Sequence, residues 1–166
     1  MKKYFKLKNI LIALLIVFVV MQVVRIDTKN PATNPSEVLS EANMTPEVKN
    51  LLSVACYDCH SNNTRYPWYS NIAPVSWWLQ NHVREGREEL NFSEWNSMDA
   101  RKKDHKLKEC VEMIEEGEMP MNSYTWTHAD AQLTAEQQAV LIRFFNSMRD
   151  HSSDKAGEDE KHESHE

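Results

Sequence analysis

An all-α fold is predicted by three observations: four segments between residues 45 and 149 repeat apolar residues at helix spacing, helix-starting and helix-stopping residues stand at their ends, and no stretch alternates well enough to make a strand. The spacing also leaves long loops at Ser61–Ala73 and Glu118–Leu133.

The N-terminal element is of another kind. Lys2, Lys3, Lys6 and Lys8 precede the unbroken apolar run Ile10–Met21, which continues past Gln22 to Val24 and meets Arg25. No small-x-small cleavage site follows, so residues 1–26 read as an uncleaved signal-anchor, a single transmembrane helix, in preference to the alternative of a removed signal peptide. The run is short for a bilayer span, which asks Phe5, Leu7 and Ile26 to contribute while the lysines snorkel. Lysines on its N-terminal side set the cytoplasmic end, which predicts a single-pass protein of the cytoplasmic membrane with everything beyond Arg25 on the extracytoplasmic, periplasmic side. Residues 27–44 read as a linker, because two Asn-Pro steps, at Asn30 and Asn34, bias the chain away from helix.

The folded domain is expected over residues 45–149. Thr45, Pro46 and Glu47 supply an N-cap, a first-turn proline and a first-turn acid, and Val48, Leu51, Leu52 and Ala55 then mark one helix face. A second helix is predicted from near Pro74 to near Leu90, with Val75, Trp78, Leu79, His82 and Val83 on one face. A third follows Ser97, buries Leu107, Cys110, Val111 and Ile114, and stops at Gly117, the residue type suited to a left-handed cap. The last starts at Thr134, in a capping box with Gln137, and presents Val140, Leu141, Phe144 and Met148. Residues 150–166 hold seven acids and two lysines with almost nothing apolar, the composition of a disordered acidic tail. Its histidines, His151, His162 and His165, read as part of that solvated tail rather than a metal site.

Composition limits the function. The 166 residues carry a net charge of −6, which divides into +5 for residues 1–25, −6 for 26–149 and −5 for 150–166, and this balance argues against a nucleic-acid partner. Three glycines form no phosphate-binding loop, and three cysteines cannot make a disulfide scaffold.

The chemistry lies at Cys56-Tyr57-Asp58-Cys59-His60, a C-x-x-C-H motif directly after the first helix of the domain. On a helical turn, positions i, i+3 and i+4 share a face, so two thiols meet the two vinyl groups of a haem while the imidazole turns under the iron. Cys56 and Cys59 are thus predicted to attach one haem c through thioethers, with His60 as proximal iron ligand. A zinc site lacks its second ligand pair, a thioredoxin-like dithiol lacks its strands, and a plain disulfide leaves His60 unexplained.

Residues 50–145 resemble the bacterial haem-binding domain family of small c-type cytochromes. The likeness rests on C-Y-D-C-H-S-N at Cys56–Asn62, T-R-Y-P-W-Y at Thr64–Tyr69, Glu118-Met119-Pro120, Tyr124-Thr125, His128, Ala131 and Leu133-Thr134. The chain is also similar to class I cytochromes c, where a Met, often followed by Pro, closes the iron's sixth position. The resemblance implies a cytochrome c-like helical domain around one covalent haem, and Met119 as the favoured distal ligand. Met121, a histidine and an open site are the alternatives. His82 is expected as a hydrogen-bonded core histidine, His105 as solvated, and His128 as a propionate partner or a loop tie. The tryptophans are expected in the haem-pocket wall and core, with Tyr66, Trp68 or Tyr69 reaching propionates, Pro67 or Pro74 supplying a carbonyl to His60, and Cys110 a buried free thiol. These features predict a membrane-anchored monohaem cytochrome that passes single electrons to and from redox partner proteins, with no catalytic constellation. The alternative is a haem enzyme, peroxidase-like, or a gas or redox sensor with an open sixth site.

Overall fold

The computed structural model describes residues 2–32 and 44–163, and the side chains of residues 6–32 and 44–149. Most of the expected linker, residues 33–43, lies outside them. All regular structure among the described residues is helical: α1 Lys2–Met21, α2 Pro46–Ala55, α3 Tyr57–His60, α4 Val75–Glu89, α5 Ala100–Glu115, α6 Asn122–Thr125 and α7 Ala135–Glu163, with short 3₁₀ turns at Trp68–Asn71, Phe92–Ser97 and Ala129–Ala131.

The caps follow the sequence closely. Thr45 Oγ1 accepts from the Val48 amide at 3.2 Å, and the Thr134–Gln137 box closes in both directions, at 2.9 and 3.3 Å. Gly117, at φ 72°, ends α5 in a Schellman turn, in which the Gly117 amide donates to Ile114 O and the Glu118 amide to Met113 O. The third predicted helix starts later than Ser97 suggests. Phe92–Ser97 winds as a separate 3₁₀ turn, and Asp99 caps α5 by accepting from the Lys102 amide at 2.8 Å. The two predicted loops carry short helices, α6 among them. At the C-terminus α7 runs on to Glu163, into the segment whose composition predicts an unstructured tail. A packed amphipathic half nucleates that helix, and each further residue then adds one backbone bond without a new nucleation cost.

The core is built by α2, α5 and α7 around the Phe92–Ser97 turn, with Leu52, Leu107, Leu141, Phe145 and Phe92 almost fully enclosed. The helix pair α5 and α7 makes the largest contact, and α3 packs chiefly on α4. That division leaves α3, α4 and the loop after α5 free to enclose a cavity beside the core rather than to fill it.

Among the described residues no helix is long and apolar enough to cross a membrane. The large apolar side chains of α1 from Leu7 to Val20 are nevertheless 44–61% exposed, with no partner along the run among the described residues. Its C-terminal end is joined to the domain. Gln22 Nε2 donates to Ala73 O at 3.1 Å, the Ala73 amide returns a bond to Gln22 Oε1 at 3.0 Å, and Trp77 Nε1 donates to Val24 O at 3.0 Å. Further on, Asn30 donates to Thr64 O and accepts from Arg87.

Candidate haem site

Cys56 closes α2 with φ −125° and ψ −44°, a break that lets α3 start afresh on the next residue. The amides of Cys59 and His60 then both donate to Cys56 O, at 3.2 and 2.9 Å, which is the single turn that C-x-x-C-H spacing requires. Cys56, Cys59 and His60 accordingly line one cavity, of about 510 Å3, within the size range of cofactor pockets. Gly86 makes the wall possible. A Cβ there would sit 2.9 Å from Cys59 O and 3.1 Å from Cys59 Cβ, so only glycine lets α4 lie this close to α3.

His60 is oriented by α4. Its Nδ1 donates to Leu90 O at 3.0 Å, which leaves Nε2 with the free lone pair. The expected partners Pro67 and Pro74 do not fill this role, because α3 packs on the far end of α4, where Leu90 terminates the helix. Burial holds the imidazole below its ordinary pKa, in the neutral form that ligates metal. The thiols are displaced the other way. Desolvation pushes Cys56 to about 12 and Cys59 to about 11, with neighbouring thiols and Asp58 adding to the effect.

Met119 reaches the same cavity through the α5 terminus. The amides of Glu118 and Met119 both donate to Met113 O, at 3.0 and 3.1 Å, and fold the chain back so that Met113, Met119, Pro120 and Met121 all contribute to the lining. The charged lining comprises Glu85, Glu89, Glu109 and Glu112 with Lys106, whose Nζ lies 2.7 Å from Glu109 and 3.4 Å from Glu89. Cys110 also faces this space, and burial beside Glu109 raises its thiol to about 12.

Several expected roles fall elsewhere. None of the five tryptophans lines the cavity: Trp95 is core, Trp77 donates to Val24 O in the segment after α1, and Trp68, Trp78 and Trp126 are exposed. Tyr66, Trp68 and Tyr69 also lie off it, and the Tyr69 hydroxyl pairs with Thr127 at 3.0 Å. The apolar spacing of α4 is compatible with a core face, but the core lies with α2, α5 and α7, which leaves Val75 and Trp78 outside. His82 is a half-buried wall residue of the cavity, with Nδ1 at 2.8 Å from Trp78 O, and is not enclosed in the core. His105 is exposed, 3.2 Å from Glu109. His128 stacks on Tyr124, with ring centroids 4.1 Å apart and planes at 15°, and is the loop tie rather than a cavity residue.

Asp58 and Tyr124 gained no role from sequence, yet they join the two halves of the site. The buried Asp58 carboxylate accepts from the Arg65 amide at 3.0 Å, from the Arg65 guanidinium at 3.2 Å and from the Tyr124 hydroxyl at 2.8 Å. Tyr124 OH also lies 3.1 Å from Val54 O, and its ring lines the cavity. Thr64 Oγ1 donates to Asp58 O, and Arg87 bonds Ser61 O and Thr64 Oγ1. An acid inside a C-x-x-C-H motif, followed seven residues later by Arg, was the available signal.

A helical domain with two thiols, an oriented neutral imidazole and thioethers around one largely apolar cavity has the donor set of a haem-binding protein. The chain belongs to the haem-binding domain family, whose model matches residues 16–147. No curated protein and no solved structure matches it.

Proposed function

We propose that the chain is a monohaem c-type cytochrome that carries single electrons outside the cytoplasm, held at the membrane by its N-terminal helix. The observation that carries this reading is the convergence of Cys56, Cys59, His60 and Met119 on one cavity. Bound there, haem c supplies a one-electron ferric–ferrous couple. Cys56 and Cys59 would hold it through thioethers, and His60, turned by the Leu90 carbonyl, would ligate its iron. Met119 would supply a thioether to its iron, a soft donor that favours the ferrous state and would raise the potential relative to a second imidazole. The Asp58–Tyr124 bond fixes the two ligand-bearing segments relative to one another, which limits rearrangement between the oxidation states. The apolar run Ile10–Met21 behind basic residues supports the anchor and the extracytoplasmic placement, and the partners are redox proteins.

The optical spectrum of the haem-loaded protein tests the ligand set. A ferric sulfur-to-iron charge-transfer band that disappears in Met119→Leu and persists in Met121→Leu supports the carrier. A high-spin wild-type spectrum with ready carbon monoxide binding refutes it and favours a haem enzyme or sensor.

A further inference from the structure

Gln22 is the first residue beyond α1, and its two reciprocal bonds to Ala73, with Trp77 bound to Val24 O, fix the end of that helix against the start of α4. The neighbouring side chains at this junction are apolar and exposed: Val23 and Val24 on one side, and Val75 (44%) and Trp78 (46%) on the first turn of α4. Val75 and Trp78 are three apart and share a helix face. Trp78 then packs against His82, ring centroids 4.1 Å apart with planes tilted at 44°, and His82, Glu85, Gly86 and Glu89 continue down α4 as cavity wall.

We propose that Val75 and Trp78, beside Val23 and Val24, form a seat that rests in the headgroup region of the bilayer in which α1 is anchored; this rests on the membrane-anchor reading above. Three features commit the surface to lipid. From Ile10 to Met21, α1 is apolar all round and has no partner among the described residues, which calls for a lipid surrounding. The hydrogen bonds make the exposed patch continuous with the end of that helix, where it leaves the hydrocarbon. Tryptophan is the residue type that settles at that level, with its ring in the apolar boundary and its N–H toward polar groups. The domain is then docked on the membrane rather than swinging on a tether. At about 1.5 Å per residue, the α4 stretch from His82 to Glu89 places the cavity wall within roughly 6–16 Å of Trp78 along the helix. Electrons would therefore enter or leave close to the lipid surface.

The haem-loaded full chain, labelled with fluorotryptophan, is reconstituted into phosphatidylcholine nanodiscs with and without lipid spin-labelled at the headgroup end of the acyl chain. Tryptophan-to-phenylalanine variants assign the fluorine resonances, and the ratio of linewidths with and without label cancels broadening by the iron. The seat predicts at least twofold broadening of Trp78 and Trp77, none at the core residue Trp95, and a weakened Trp78 effect in Gln22→Leu. Flotation with phosphatidylcholine vesicles separates the two layers of the reading. Protein that floats while Trp78 broadens no more than Trp95 leaves the anchor intact and overturns the seat, a result that a second copy covering the patch would also give. Protein that does not float overturns the anchor and the seat together.

Discussion

Gly86→Ala sets two opposing effects against each other at the wall of the site. In a helix interior the change ordinarily stabilises by about 1 kcal/mol, because alanine has the higher helix propensity. Here the new methyl would lie 2.9 Å from Cys59 O, 3.1 Å from Cys59 Cβ and 3.2 Å from Cys59 C. Two of those atoms are backbone and cannot swing aside, so α4 must retreat from α3 by several tenths of an ångström. Overpacking of that kind costs roughly 1–3 kcal/mol, which leaves a net destabilisation of about 0–2 kcal/mol. The retreat also loosens the 3.0 Å bond from His60 to Leu90, since the Leu90 amide is itself tied to Gly86 O. Urea denaturation of the haem-loaded chain reads the stability, and intact mass reads the haem-attached fraction. We expect reduced stability together with reduced attachment. A variant more stable by about 1 kcal/mol with full attachment refutes the close-approach argument.

Tyr124→Phe and Asp58→Asn should each cost about 2 kcal/mol, as the loss of hydrogen bonds to a buried carboxylate, with a double-mutant coupling above about 1 kcal/mol; additive costs would show that the two do not act through their shared bond. Gly117→Ala should cost about 1–2 kcal/mol from its left-handed backbone alone, since nothing lies within 4 Å of the added methyl, and loss of the sulfur-to-iron band would accompany any displacement of Met119. In chain made without haem, the Cys59 thiol at about 11 against an ordinary 9.0 predicts about a hundredfold slower alkylation at pH 8 than in urea-unfolded chain. The rate should climb tenfold per pH unit toward 11. The sign carries over to stability: the folded thiol holds its proton where the unfolded one loses it, so stability falls as pH rises from 9.0 toward 11. Equal alkylation rates for folded and unfolded chain would contradict the burial of this thiol.

The legible features were those encoded by neighbours in the chain. Thr45, Thr134 with Gln137, and Gly117 act within a single turn, and the i, i+3, i+4 face of Cys56, Cys59 and His60 is fixed by backbone bonds inside one turn. Contacts between distant segments left no such trace. The carbonyl that orients His60 comes from Leu90, thirty residues away, and any residue's carbonyl serves equally well. Tyr124 meets Asp58 across 66 residues, and Gln22 meets Ala73 across 51. Gly86 offered a signal, a glycine inside a helix without a capping role, but its reason is the proximity of Cys59. The tryptophans misled because hydropathy does not separate a core face from an unpartnered one; on α4 the exposed face belongs to Val75 and Trp78.

Covalent attachment of haem c at Cys56 and Cys59 is read out by intact-mass spectrometry of the chain made alongside a cytochrome c maturation system. A mass raised by one haem that survives denaturation is expected, with its loss in the Cys56→Ser, Cys59→Ser double variant. An unmodified wild-type mass, or haem that is released by denaturant, would contradict it.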